Sequence, residues 1–132
     1  MAATNTDLSG RRVLVVEDES RIAMLIRDTL EDMGCEVVAT AARFDDAFEK
    51  ARSLPFDVAL LDVNLNGEPS YPIAQALADS GRAFVFATGY GTSNVPESLH
   101  DAPVLQKPFM RRDLERALLT ALQHRTDLHE PS

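Results

Sequence analysis

The chain has 132 residues, of which 45% are hydrophobic and 26% charged, and a formal net charge of −8. That is the size and make-up of one globular domain with a real core. Its acidity argues against sequence-independent binding to nucleic acid and against docking on anionic lipid, both of which need an excess of Lys and Arg. The longest apolar runs, Val13–Val16 and Val58–Leu61, are far too short to span a membrane.

Met1–Gly10 is polar, lacks the basic head and apolar stretch of a signal peptide, and reads as a short disordered lead-in over 1–10. Arg12–Glu17 (RVLVVE) is short and valine-rich, a buried strand. From Ser20 to Met33 a helical period puts Ile22, Leu25, Ile26, Leu30 and Met33 on one face, and Gly34 ends the helix. Cys35 is the lone cysteine; with no disulfide partner it reads as a small core hydrophobe in a reducing cytoplasm. Glu36–Ala39 is the second strand, and Phe44, Ala47, Phe48 and Ala51 stripe the second helix.

Asp57–Asp62 (DVALLD) is the third strand. Ile73, Ala76 and Leu77 mark a third helix, ended by Ser80-Gly81, and Ala83–Ala87 (AFVFA) is the fourth strand. Pro96 restricts Thr92–Asp101 to a short or irregular fourth helix. Pro103–Gln106 is the fifth strand, and Leu114, Ala117, Leu118, Ala121 and Leu122 form the clearest amphipathic stripe. The polar tail, 125–132, is expected to fray. Five strands alternating with five helical segments predict an α/β fold: a five-stranded parallel sheet, doubly wound and flavodoxin-like with order 2-1-3-4-5, in a three-layer sandwich over 11–124. No output domain is expected. His100, His124 and His129 share no ligand spacing, so no metal site is expected among them.

Polar residues stand at the carboxyl ends of the apolar strands: Glu17-Asp18, Asp62, Thr88 and Lys107. In an open parallel sheet, ligands bind beyond those ends, where the strand order reverses. With order 2-1-3-4-5 that point brings Glu17, Asp18 and Asp62 together, with Thr88 and Lys107 arriving from the other side. Clustered carboxylates repel, by about 1 kcal/mol per pair at 4 Å in water and about 4 at an effective dielectric of 20. Either one keeps its proton or a hard divalent cation enters, and Mg²⁺ suits carboxylates completed by water and a phosphate oxygen. Phosphoryl transfer needs little beyond alignment and charge neutralisation. Asp62 is then the nucleophile, Lys107 supplies positive charge, and the Thr88 hydroxyl binds a phosphoryl oxygen. Taken singly, each residue has a plainer reading as a helix cap, turn aspartate, strand threonine or solvated lysine; their order along successive strands favours the joint reading.

The segments VLVVEDE (Val13–Glu19), LLDVNLNGE (Leu60–Glu68), FATGY (Phe86–Tyr90) and QKPF (Gln106–Phe109) resemble the receiver domains of bacterial two-component response regulators, over about Arg11 to Gln123. The resemblance implies that Asp62 is the phosphoacceptor and that Asp18 and Asp62 contact Mg²⁺ directly. It implies further that Asn64 offers its backbone carbonyl, that Glu17 acts through water, and that Lys107-Pro108 is cis. It implies a sensor histidine kinase or phosphotransfer protein as donor of the phosphoryl group from phosphohistidine. The first helix and the segment after the last strand are the implied contact areas, with a downstream protein as the other partner. AFVFATGYG (Ala83–Gly91) is similar to the PFxFATG[GY] motif of single-domain alphaproteobacterial regulators, some tied to the general stress response, with Ala83 in place of proline.

Ordinary receivers carry Tyr or Phe three residues before the lysine; here Val104 stands there and, being β-branched and ringless, cannot serve as that switch. Gly89, Tyr90 and Gly91 are the expected substitute, a loop that follows Thr88 toward the phosphoryl group while Tyr90 shields it from water. Asn64 has no carboxylate to activate water, so a long-lived phosphoryl-Asp62 is expected. The resemblance implies no enzyme beyond self-phosphorylation and slow self-dephosphorylation. Two rivals remain at this point. One is a phosphate-independent receiver-like binding module. The other is a haloacid-dehalogenase-type phosphohydrolase, which needs an aspartate where Asn64 stands and an acid pair after, not before, the nucleophile.

Overall fold

The computed structural model describes residues 8–89 and 95–129, with side chains through 123. In chain order the elements begin β1 (Arg12–Val16), α1 (Ser20–Asp32), β2 (Glu36–Ala41), α2 (Phe44–Ser53) and β3 (Val58–Asp62). They continue β4 (Asn64–Leu65), β5 (Glu68–Pro69), α3 (Tyr71–Asp79) and β6 (Ala83–Thr88), then a single 3₁₀ turn (Glu97–Leu99), β7 (Val104–Gln106) and α4 (Arg111–His129). β2-β1-β3-β6-β7 form one sheet, parallel throughout, which is the expected order once the β4–β5 hairpin is counted.

The three central strands are apolar on both faces because both faces are covered. Val13, Val15, Leu60 and Val85 point to the layer of α1 and α4, where they meet Ile26, Leu30, Leu114 and Leu118. Leu14, Leu61 and Phe86 point the other way, to α2, α3 and the 3₁₀ turn, and pack on Ala47, Ile73, Leu77 and Leu99. This alternation is the period-two geometry of a strand. The edge of Phe86's ring meets Tyr71 at 5.7 Å between centroids and Phe84 at 5.5 Å. Cys35 is buried, as expected, and its Sγ donates to the Leu8 carbonyl.

Several boundaries move. The lead-in was expected to run to Gly10, but Leu8 is buried in the core and the Gly10 N–H donates to the Gly34 carbonyl at 2.8 Å. Gly34 has a left-handed φ of 91°, and a Cβ there would meet the Ser9 hydroxyl at 2.7 Å, so glycine is required. Leu25, expected on the buried face of α1, is 66% exposed. It lies at the flank of the stripe that Ile26 and Leu30 occupy. The third helix buries Ala74 with Ile73 and Leu77, while Ala76 is only half-buried. Among the described residues the fourth helical segment is the 3₁₀ turn alone, consistent with Pro96 just before it. α4 continues past the expected end at His124 to His129.

Candidate functional site

β1 and β3 are neighbours, and the chain leaves them on opposite sides of the sheet, so a crevice opens beyond their carboxyl ends. Into it come Glu17 and Asp18, just after β1, and Asp62, the last residue of β3. Ligand oxygens of Glu17, Asp18 and Asp62 all lie within 4.8 Å of one another. From the far side comes Lys107, just after β7, whose Nζ donates to Glu17 Oε1 at 2.8 Å and to Asp62 Oδ2 at 3.1 Å. Thr88 ends β6, is buried, and accepts the Lys107 backbone N–H on its carbonyl at 2.8 Å. The five residues that sequence order suggested are thus gathered in one crevice.

Electrostatics follow from burial. Glu17 is almost wholly buried, and burial with the charge of Asp62 pushes its carboxyl up to about 7 despite the hydrogen bond from Lys107. Asp62 is raised as well, burial outweighing the charge and hydrogen bond of Lys107. Asp18 is less buried; burial pushes it up, but hydrogen bonds, led by that from the Asn66 N–H, hold it below its ordinary value. Burial alone would pull Lys107 down, yet the bond to Glu17 and the charge of Asp62 keep its ammonium above the ordinary value. The crevice holds one firm cation against three carboxyl groups, which are hard oxygen donors suited to a hard divalent cation.

Asn64 reaches the site through its main chain. The Ser70 N–H donates to the Val63 carbonyl at 2.8 Å, and the hairpin register pairs Asn64 with Pro69. In an antiparallel ladder bonded and non-bonded pairs alternate, so Asn64's N–H and C=O turn outward from the hairpin. The N–H meets Asp62 Oδ1 at 3.3 Å, which puts the adjoining carbonyl on the acid side. Pro69, with no N–H, is tolerated opposite for the same reason.

Residues 13–119 match the family described as the response regulator receiver domain. The chain belongs to that family. Among curated proteins, this receiver is 31% identical over 129 residues to the transcriptional regulatory protein PdtaR of Mycobacterium tuberculosis (strain H37Rv), covering 92% of this chain and 63% of that protein. It therefore spans less than two thirds of that relative's length. Among solved structures it is 41% identical to SdrG from Sphingomonas melonis Fr1, with a TM-score of 0.75, covering 86% of this chain and 97% of that one. A CheY-like receiver domain protein from Methanospirillum hungatei JF-1, 22% identical with a TM-score of 0.78 over 91% of this chain and 99% of that one, shares the fold.

Lys107-Pro108 is cis. Val104, in the place of the aromatic switch, lies exposed on the edge strand β7. Gly89 follows Thr88 at the surface, while Tyr90 and Gly91 fall outside the described residues. The residue that sequence reasoning missed is Asn66, whose N–H donates to Asp18 Oδ2 at 2.9 Å. The signal was present: Asn66-Gly67 is the dipeptide most diagnostic of a two-residue hairpin.

Proposed function

We propose that this receiver accepts a phosphoryl group on Asp62 from the phosphohistidine of a histidine kinase or phosphotransfer protein, and signals through protein contact or onward relay. The observation that carries the reading is the pair of hydrogen bonds from Lys107 Nζ to Glu17 and Asp62, beside Asp18 and next to the strand end at Thr88. Three carboxyl groups and an inward main-chain carbonyl fit Mg²⁺, with Asp18, Asp62 and the Asn64 carbonyl as direct ligands and Glu17 acting through water. Bound there, Mg²⁺ supplies positive charge to the phosphoryl oxygens.

The chain's own residues do the rest. An Asp62 carboxylate oxygen attacks phosphorus in line; the new O–P bond forms as the P–N bond to the donor imidazole breaks, and the imidazole leaves with the bonding pair. Lys107 turns its ammonium toward the charge on the transferring group, and the Thr88 hydroxyl donates to a phosphoryl oxygen. The Asn64 N–H, already at Asp62 Oδ1, holds the acceptor carboxylate in orientation. No external substrate is turned over. Beside Lys107, a groove of about 440 Å³ lined by Ile22, Ile26, Pro108, Phe109 and Leu114 is flanked by the exposed Leu25 and Met110. It supports docking of the donor on α1 and the start of α4, as the resemblance implies. The described residues include no helix long and apolar enough to cross a membrane. The FATGY segment, through the motif it resembles, supports a place among the stress-response regulators.

The test is phosphotransfer from a radiolabelled histidine kinase in Mg²⁺ and in EDTA. We expect label on the wild type in Mg²⁺ only, and none on Asp62→Asn. Label retained by a folded Asp62→Asn variant refutes the assignment.

A further inference from the structure

We propose that the β4–β5 hairpin is the positioning element of the cation pocket, aiming Asp18 through the Asn66 N–H. The inference rests on the Mg²⁺ pocket described above. Asp18 and Asn66 are distant in sequence, yet the Asn66 N–H meets Asp18 Oδ2 at 2.9 Å. A backbone donor at that place requires an unusual turn. Asn66 has φ 55° and Gly67 φ 90°, two successive left-handed residues, which is the mirror-image two-residue turn that Asn-Gly favours.

The turn is braced from behind. Leu65 is buried in the core beside α3, and the Ser70–Val63 bond closes the hairpin's base. The Asn64 side chain folds back so that its Oδ1 accepts the Gly67 N–H at 2.5 Å. That bond ties Asn64's amide to its own hairpin, so its part in the site is structural as well as through its carbonyl. One short hairpin therefore touches two of the pocket's acids: Asn64 holds Asp62 and Asn66 holds Asp18. The separation between those two carboxylates, on which divalent coordination depends, is set by the hairpin.

Gly67 permits a clean test. A Cβ there would meet nothing within 4 Å, so Gly67→Ala acts on the backbone turn alone, with no clash. Asparagine tolerates a left-handed φ far better than alanine, so Gly67→Asn is the conservative rescue. We would titrate MgCl₂ into the full ¹⁵N-labelled chain and follow amide shifts, including Asn66 before any metal is added. Gly67→Ala is expected to bind Mg²⁺ about fivefold more weakly and to shift the metal-free Asn66 amide upfield as its bond to the carboxylate lengthens. Gly67→Asn should stay within about twofold of wild type and keep the Asn66 resonance in place.

A folded Gly67→Ala with wild-type affinity and an unmoved Asn66 amide overturns the inference. If Gly67→Ala does not fold, Asn64→Ala decides: weaker Mg²⁺ binding supports the bracing, unchanged binding overturns it. Two other outcomes strike the pocket itself and take this inference with it: no Mg²⁺ response in wild type, or an undiminished response in Asp18→Asn.

Discussion

Replacing Glu17 by glutamine keeps shape and removes a charge that the fold resists. In the metal-free protein the folded value of Glu17 is about 7 against 4.5 ordinarily, because the side chain is buried beside Asp62. The folded chain thus holds this proton more tightly than the unfolded chain. The sign follows: Glu17 costs nothing well below its ordinary value, and its penalty grows as pH rises from about 4.5 to 7 and is complete above that. At about 1.4 kcal/mol per pH unit between the two values, the full penalty is about 3 kcal/mol, most of which falls between pH ~5 and pH ~8. Urea denaturation in EDTA at those two pH values, on wild type and Glu17→Gln, gives the quantity directly. The variant should gain about 2 to 3 kcal/mol over wild type on going to the higher pH. Adding Mg²⁺ should shrink the gap, since a cation beside Glu17 favours its ionised form. A stability difference that stays flat across this range refutes the reasoning.

Two further substitutions probe the frame. The Ser70 hydroxyl is fully buried at the start of α3 with no hydrogen-bond partner among the described residues, so Ser70→Ala should leave stability unchanged or raise it by up to about 1 kcal/mol in denaturant titration; a loss beyond about 1 kcal/mol would show a partner the hydroxyl needs. Asp57 accepts the Arg12 N–H at 2.8 Å and the guanidinium at 3.4 Å; burial pushes it up, but these contacts hold it below its ordinary value. Its contribution is present above that ordinary value and lost as pH falls through the lowered one. Asp57→Asn should therefore cost about 1 kcal/mol near neutrality, discounted for the exposed Arg12, with the gap closing in acid; a gap independent of pH contradicts the ion pair.

The sheet was legible because its signal is redundant. Val13–Val16, Val58–Leu61 and Ala83–Ala87 are apolar on consecutive positions, and only a strand covered on both faces explains that. Once the parallel order is known, a residue at a strand's carboxyl end has one place to go, which is why Asp62, Thr88 and Lys107 could be put together from spacing alone. Contacts that depend on a single residue were not visible. Leu8 is one apolar side chain in a polar lead-in, and nothing local says it reaches the core. Leu25 keeps the helical period but sits at the stripe's flank, and periodicity does not resolve a flank from a centre. The hairpin was the avoidable miss, since Asn66-Gly67 announces it; two-residue strands are too short for an apolar pattern to confirm.

The same backbone economy bears on how such a pocket can work as a switch. Without a cation, the Lys107 ammonium divides itself between Glu17 and Asp62, and burial still holds both acids above their ordinary values. A divalent cation bound there would share the role of counter-charge with Lys107. The proposed phosphorylation would consume the Asp62 carboxylate and add a group carrying about −1.5 to −2. Lys107 must leave Glu17 to meet it, but it cannot travel far, because its backbone N–H is bonded to Thr88 at the end of β6. Movement of the ammonium is therefore coupled to the strand end that carries Thr88, and Val104, ringless and exposed on β7, offers no path for it. Gly89, next in the chain, is exposed, and a Cβ there would meet nothing within 4 Å.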